Sequence, residues 1–211
     1  MNFNGFTAHD FEAFHIQGLE ERMAAIQERI QPKFKLLGEV LADDLSVMLG
    51  QEMYLHIARH ARRKVNPPND TWLAIAHNKR GYKQHPHFQV GLFDDHVFIW
   101  TAFIYELPGK KEIAQTFLDH IDFLNNTIPS DYAVSLDHLK KEAESWGSLE
   151  AQQALSRFRD VKKAEFLIGR HIQADDPVLQ DGNAFYELVK ETFETLFPVY
   201  QLALKQEAAR P

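Results

Sequence analysis

A long run of regularly spaced apolar residues near the start of the chain most constrains its fold. Apolar side chains in Leu19–Met48 recur at intervals of three or four residues, which is the spacing of one face of an amphipathic α-helix. Pro32 interrupts the run and Gly50 follows it, so we predict two helices, or one kinked helix, ending at Gly50. A short helical turn near Asp10, with Thr7 as its N-cap, should precede them.

The middle of the chain changes to short segments rich in aromatic and β-branched residues. They alternate with loops that contain Pro, Gly, Asn and Asp, a pattern typical of antiparallel strands joined by turns. Six segments are predicted as strands: MYLHIAR, TWLAIAH, HFQVGLF, HVFIWTAFIYEL, DYAVSLD and AEFLIGRHI. The fourth is apolar on both faces, so we expect it at the centre of the sheet.

Helical spacing returns after Gly109, in SLEAQQALSRFRD and in the last segment, where Pro198 should kink or end the helix. We therefore predict a single α+β domain over residues 1–211. It should contain a mainly antiparallel sheet of about five or six strands, packed by N-terminal, middle and C-terminal helices. No two glycines lie closer than ten residues, which excludes a GxGxxG fingerprint and a P-loop.

The residue usage excludes further classes of protein. The chain has no cysteine, which rules out disulfides, thiolate zinc sites and cysteine nucleophiles. It has no run of about 18 apolar residues, and its first residues lack the basic and apolar regions of a signal peptide. We expect a cytoplasmic protein without a membrane partner.

Positive charge is concentrated in one segment, residues 59–88, of an otherwise acidic chain. The whole chain has a formal charge of −7. Seven Lys or Arg and one carboxylate, Asp70, give this segment +6, so the remaining residues carry −13. Crowded like charges repel unless an anion or an acidic partner relieves them. The segment is therefore a candidate anion-binding surface, although the overall acidity disfavours a general nucleic-acid coat.

Two loops flank the predicted strand TWLAIAH within this segment. In the first loop, Pro67 and Pro68 of NPPND restrict the backbone next to a cluster of cations. In the second loop, NKRGYK, three cations crowd a tight turn. A seven-residue strand spans roughly 23 Å, so the two loops need not form one site. The first loop could instead be a purely structural turn, and the second a solvated hairpin tip or a face docked on the chain's own acidic helices.

Nine side chains are candidate contacts to an anionic ligand. Arginine suits bidentate phosphate binding, lysine adds charge, and asparagine and tyrosine would orient the ligand. Histidine titrates near neutral pH and would act as general acid or base if the protein were an enzyme. The candidates are Arg62, Arg63, Asn69, Lys79, Arg80, Tyr82, Lys83, His85 and His87.

Histidines in the same segment raise the question of a metal. His56 and His60 have helical i,i+4 spacing, and His85 and His87 would lie about 6–7 Å apart on one side of an extended chain. The net charge of +6 in this segment would make a bound dication costly. We therefore expect these histidines to form hydrogen bonds or extend the positive surface, and we expect no metal and no cofactor.

Several of these motifs resemble the YktB-like family of small bacterial proteins of unknown function. GLEERMAAIQERIQPKF, HARRKVNPPNDTW, NKRGYK, PHFQVGLF, IPSD and VKKAE occur here in the order typical of that family, from near residue 6 to near residue 170. The resemblance implies a single α+β domain in a cytoplasmic bacterial protein. It implies no reaction, cofactor or catalytic residue.

Three functions remain open at this point. We favour a binding module for an anionic ligand, either a phosphorylated small molecule or a nucleic acid. The alternatives are an enzyme acting on a phosphate-bearing substrate, with His85 or His87 as general acid or base, and an interaction protein whose basic face docks an acidic partner. A pocket that joins Arg80, His85 and Asn69 would favour an enzyme. An open basic ridge would favour nucleic-acid binding, and a basic face covered by carboxylates would favour the interaction protein.

Overall fold

A seven-stranded sheet forms the centre of the molecule in residues 2–208, the part of the chain that a computed structural model describes; side chains are described as far as residue 205. The strands are β1 Tyr54–Ile57, β2 Thr71–Ala76, β3 His87–Leu92, β4 His96–Phe103, β5 Ala133–Ser135, β6 Glu144–Ser145 and β7 Phe166–Gln173. They form one open sheet in the order β1-β2-β3-β4-β7-β5-β6, and every neighbouring pair is antiparallel.

The predicted α+β fold with a mainly antiparallel sheet is confirmed. Each of the six predicted segments contains a strand, and β4 lies in the middle of the sheet with all eight of its residues buried. The additional strand, β6, has only two residues and pairs with β5 at the edge of the sheet. So short a segment has no periodic pattern from which it could be predicted.

Helices precede, interrupt and follow the strands. In the described residues they are α1 Ala8–Phe11, α2 Leu19–Ala25, α3 Gln31–Leu49, α4 Lys110–Asp119, α5 Ile121–Thr127, α6 Ala151–Asp160 and α7 Gly182–Ala208. A π-helical turn, Ile26–Ile30, joins α2 to α3, and short 3₁₀ segments occupy Glu12–His15 and Pro177–Gln180.

The N-terminal helices follow the predicted pattern closely. The backbone N–H of Thr7 donates to Asp10 Oδ2 (2.7 Å) in a capping box around α1. Pro32 lies in the first turn of α3, and the wider π turn before it allows the chain to remain helical around the proline. Gly50 ends α3 with a φ of 66°, a left-handed conformation that glycine adopts without strain.

Helix α7 continues past its internal proline. Pro198 lies inside the helix, which extends to Ala208, so the proline does not end it. Proline removes one backbone donor from a helix, but Val199, Tyr200 and Ala203 beyond it are buried in the core. Burial of this apolar face stabilises the helix beyond the proline.

One face of the sheet, the helical face, packs against α3 and α7. Consecutive side chains of a strand point to opposite faces, so alternate residues of β2, β3 and β4 enter this core. Its almost completely buried members include Leu73, Ile75, Phe88, Val90, Val97 and Ile99 from the strands, and Phe34, Leu37, Leu41, Phe185, Phe193 and Tyr200 from the helices. This core supports the sheet from one side.

Loops cover the opposite face, which we call the loop face. Trp100 and Leu167 belong to a smaller apolar cluster there, and two partly buried residues pack against it: Trp72 of β2 and Ala143 from the loop between β5 and β6. Tyr82 lies over the same face, next to the ring of a histidine at the start of β3. The loops of the basic segment therefore lie on a supported sheet surface.

None of the helices in the described part of the chain combines the length and the apolar character that crossing a membrane requires.

Candidate functional site

The two basic loops meet across β2. The first basic loop, residues 58–70, precedes β2, and the second basic loop, residues 77–86, follows it. The second loop folds back over the sheet, so that the Tyr82 hydroxyl accepts a hydrogen bond from Trp72 Nε1 at the start of β2 (2.9 Å). The Tyr82 ring also lies 5.5 Å from that of His56 and 4.9 Å from that of His87. The length of the strand therefore does not keep the loops apart.

Hydrogen bonds from two arginines hold the first basic loop in place. Arg22 of α2 donates through Nη1 to the Pro68 carbonyl (2.9 Å) and through Nε to the Ile16 carbonyl (2.9 Å). Arg63 Nη1 donates within the loop to the carbonyls of Asn66 (3.4 Å) and Pro67 (3.3 Å). Because proline provides no N–H group, its carbonyl is the polar backbone group available for such ties. The NPPND segment is thus attached to the helical layer.

Asn78 organises the second basic loop. Its Oδ1 accepts from the backbone N–H of Arg80 (2.8 Å), and its carbonyl accepts from His56 Nε2 (2.9 Å). Its Nδ2 donates to His85 Nε2 (3.0 Å), since an amide nitrogen can only donate. One residue, through its side chain and its carbonyl, therefore sets the positions of an arginine and two histidines.

Two adjoining clefts open on this surface. The Arg80 cleft has a volume of about 820 Å³ and the Trp72 cleft about 390 Å³, both in the usual range for small-molecule sites. Arg59, Tyr82 and Lys83 line both clefts. In the Trp72 cleft the cations Arg59, Arg62, Arg63 and Lys83 face one carboxylate, and in the Arg80 cleft Arg59, Lys79, Arg80 and Lys83 face none among the described residues.

The clefts bring together seven of the nine predicted residues: Arg62, Arg63, Lys79, Arg80, Tyr82, Lys83 and His85. Asn69 instead lines a smaller cleft of about 290 Å³ with Phe14, Phe93 and Asp94. The pocket that would have joined Arg80, His85 and Asn69 is therefore not formed.

His87 is fully buried and lines neither cleft. Its Nδ1 donates to the His85 carbonyl (2.8 Å), and its Nε2 accepts from Gln89 Nε2 (2.8 Å). Burial lowers the pKa of His87 to about 3, so the ring is neutral at physiological pH. Its position supports Tyr82 from below and offers no direct contact to a ligand in either cleft.

Burial also sets the charge of other groups near the clefts. It lowers the pKa of His60 to about 4, with Arg63 acting in the same direction, and it lowers the pKa of His56. It raises the pKa of Asp70 to about 6 despite the cations nearby. The Oδ2 atom of Asp70 is buried without a hydrogen-bond partner among the described residues. The single carboxylate of the basic segment is therefore close to neutralisation near pH 6.

Sequence reasoning missed a histidine–carboxylate pair in the wall of the Trp72 cleft. His138 lines this cleft, and its Nδ1 donates to Glu165 Oε2 (2.7 Å). Glu165 is 2% exposed and also accepts from the backbone N–H groups of His138 (2.8 Å) and Tyr105 (3.3 Å). The pair joins the loop after β5 to the residue before β7, and no local pattern signals such a contact.

The same pair belongs to the one group of possible metal ligands found in the described residues. Asp137, His138 and Glu165 place one donor atom each within 4.8 Å of one another. His138 Nδ1 and Glu165 Oε2 are hydrogen-bonded to each other, so their facing atoms are already satisfied. None of the histidines considered from the sequence belongs to this group.

Comparison with known proteins gives near full-length matches. A family model described as a domain of unknown function, DUF1054, matches residues 6–200. A UPF0637 protein of Oceanobacillus iheyensis is 63% identical over 95% of this chain and 97% of the relative. UPF0637 proteins of Shouchella clausii and Listeria innocua are 60% and 50% identical, each over 97% of this chain and over 97% and 100% of their own lengths.

Proposed function

We infer that this chain, which belongs to the DUF1054 family of uncharacterised bacterial proteins, binds a small phosphate-bearing ligand between its two basic loops. The observation that carries the proposal is the convergence of both loops on adjoining clefts that share Arg59, Tyr82 and Lys83. Each loop contributes cations, and Glu106 is the single carboxylate among the described lining residues of the two clefts.

Several of these cations are available to a ligand. Lys83 is paired with Glu106 (3.3 Å), and Arg63 donates to carbonyls of its own loop. In the part of the chain that the structure describes, no ion pair involves Arg59, Arg62, Lys79 or Arg80, which are all exposed. Their mutual repulsion would be relieved by a bound anion, and arginine offers two parallel donors to phosphate oxygens.

The shape of the surface favours a small ligand over a nucleic acid. The cations line concave clefts of about 820 and 390 Å³, whereas nucleic-acid backbones are usually tracked by long basic grooves. Outside residues 59–88 the chain is strongly acidic, which would repel an extended polyanion. A phosphorylated small molecule therefore fits better than the nucleic acid considered from the sequence.

The proposal is tested by thermal unfolding with inorganic phosphate or pyrophosphate, against chloride at equal ionic strength. A ligand that binds only the folded protein raises its stability, by about 2.7 kcal/mol at a hundredfold excess over Kd. We expect pyrophosphate to raise the melting temperature of the parent protein more than chloride does. Arg59→Ala should remove most of this rise, because Arg59 lines both clefts.

The matched control is Arg157→Ala, which removes an exposed arginine from α6, outside both clefts. This variant should keep the full pyrophosphate effect. The proposal fails if pyrophosphate acts no better than chloride, or if it stabilises the Arg59→Ala variant as strongly as the parent.

A further inference from the structure

The His138–Glu165 pair gives the Trp72 cleft a histidine with one defined open nitrogen. Glu165 is buried and accepts a hydrogen bond from His138 Nδ1 (2.7 Å), whereas Nε2 of the same ring forms no hydrogen bond among the described residues. Because a hydrogen bond to one ring nitrogen fixes which tautomer and orientation the imidazole adopts, Nε2 is the atom that can accept or carry a second proton.

The surroundings of His138 favour that second proton. The charged groups near it are Glu165 from the segment before β7, the adjacent Asp137, Asp70 from the first basic loop and Lys83 from the second. Burial alone would lower the pKa of His138, but the hydrogen bond and charge of Glu165, assisted by Asp70, outweigh it and raise the pKa. His60 in the same cleft shifts in the opposite direction. The pKa values of the two histidines of the cleft are therefore shifted in opposite directions.

The other charged groups that line the cleft complete this environment. They are Arg59, Arg62 and Arg63 from the first basic loop and Glu106 from the segment after β4. In the empty cleft the three arginines oppose a further positive charge on His138, and a bound dianion would neutralise that opposition.

We propose that His138 is a ligand-contacting residue of this anion site: its Nε2–H donates to the bound phosphate group, so that the ligand binds together with one proton. The inference rests on the proposed function of the cleft. When the ligand enters at a pH where His138 is neutral, Nε2 takes one proton from solvent and the Nδ1–H bond to Glu165 is kept. At lower pH the proton is already present, and binding takes up none.

Sulfate is a suitable probe, because it remains a dianion at neutral pH and proton uptake then reports on the protein. Its binding is measured by calorimetry between pH 6 and pH 8.5, in buffers with different ionisation enthalpies. Uptake by the parent protein should pass through a maximum, a fraction of a proton per sulfate, at a pH between the pKa values of His138 in the free and in the sulfate-bound protein, and should decline at lower pH. His138→Gln should abolish that uptake and weaken sulfate binding roughly tenfold at pH 6.5, as expected for loss of a charge-assisted bond.

His9→Gln is the matched control, since His9 is exposed on α1, away from the cleft. It should preserve both affinity and proton uptake. A second readout does not depend on the folding of a variant: the ¹⁵N shift of His138 Nε2 in the parent protein should move toward the protonated value when sulfate is added.

The outcomes separate this inference from the proposed function. Sulfate binding without proton uptake, and without a change at His138 Nε2, overturns the role of His138 and leaves the anion site intact. Absence of any sulfate binding overturns both.

Discussion

Replacing Asp70 by asparagine tests how the site accommodates a carboxylate among its cations. Asp70 is 4% exposed, and its Oδ2 has no hydrogen-bond partner among the described residues. Burial raises its pKa from 3.8 to about 6, although His138 and Arg63 nearby act in the opposite direction. An asparagine at this position keeps the shape of the side chain and cannot ionise.

The sign of the expected effect follows from proton linkage. The folded protein retains the Asp70 proton up to a pH of about 6, whereas the unfolded chain loses it near 3.8. Between these values the folded state binds more protons, so the free energy of unfolding decreases as the pH rises. The full penalty is about 3 kcal/mol above pH 7, of which roughly 2–3 kcal/mol develops between pH 4 and pH 8. Asp70→Asn removes it.

The assay is urea unfolding of both proteins at pH values from 4 to 8, followed by tryptophan fluorescence. The stability of Asp70→Asn relative to the parent should rise by roughly 2–3 kcal/mol across this range. Any cost of placing an amide there is independent of pH and only shifts the whole curve. Asp43→Asn, at an exposed position on α3, shows the effect of losing one carboxylate without burial. A stability difference between Asp70→Asn and the parent that stays constant with pH would refute the reasoning.

Two further predictions concern the framework of the site. Leu41→Asp should cost several kcal/mol of unfolding free energy, because Leu41 is 1% exposed in the helical-face core and the variant would bury an unpaired carboxylate. A urea midpoint equal to that of the parent would contradict the assigned packing of α3. Lys110→Met should lower the free energy of unfolding by about 1–3 kcal/mol, because the Lys110 ammonium donates to three backbone carbonyls in residues 161–164. Its control is Lys111→Met, at the exposed neighbouring position, which should leave the melting temperature nearly unchanged.

Much of the fold could be predicted because its signals are local. The apolar spacing of Leu19–Met48 and the aromatic segments of the middle identify their elements without knowledge of what they contact. The two-residue strand β6 has no such signal, because its pairing depends on the position of β5. The course of α7 past Pro198 is likewise decided by burial of its apolar side chains rather than by the preference of proline.

The site could be predicted only in part. The charge of a segment can be counted from its own residues, but the convergence of the two basic loops depends on contacts between distant residues. The cations of residues 59–88 stand out in the sequence, but their meeting depends on Tyr82 reaching back to Trp72. His87 was expected beside His85 on one side of an extended chain. In the structure it begins β3 and enters the layer beneath Tyr82, while His85 lies in the preceding loop.

The hydrogen-bonded pair of His138 and Glu165 could not be predicted from local sequence patterns. The two residues are separated by 27 positions, and no motif contains both of them. Glu165 belongs to VKKAE, one of the motifs from which a family resemblance was inferred, yet its burial becomes evident only when β7 is placed beside β5. Long-range pairing of this kind requires the folded chain.

The central claim is that the two basic loops form one anion site, and the stoichiometry of pyrophosphate binding tests it most directly. Isothermal titration calorimetry of the parent protein should show one binding event per chain. Arg62→Ala in the first loop and Arg80→Ala in the second should each weaken that same event, by at least about fivefold, while Arg157→Ala should leave it unchanged. Two independent pyrophosphate-binding events, each lost in a different variant, would contradict the claim. The claim would also be contradicted if neither Arg62→Ala nor Arg80→Ala altered the affinity for pyrophosphate.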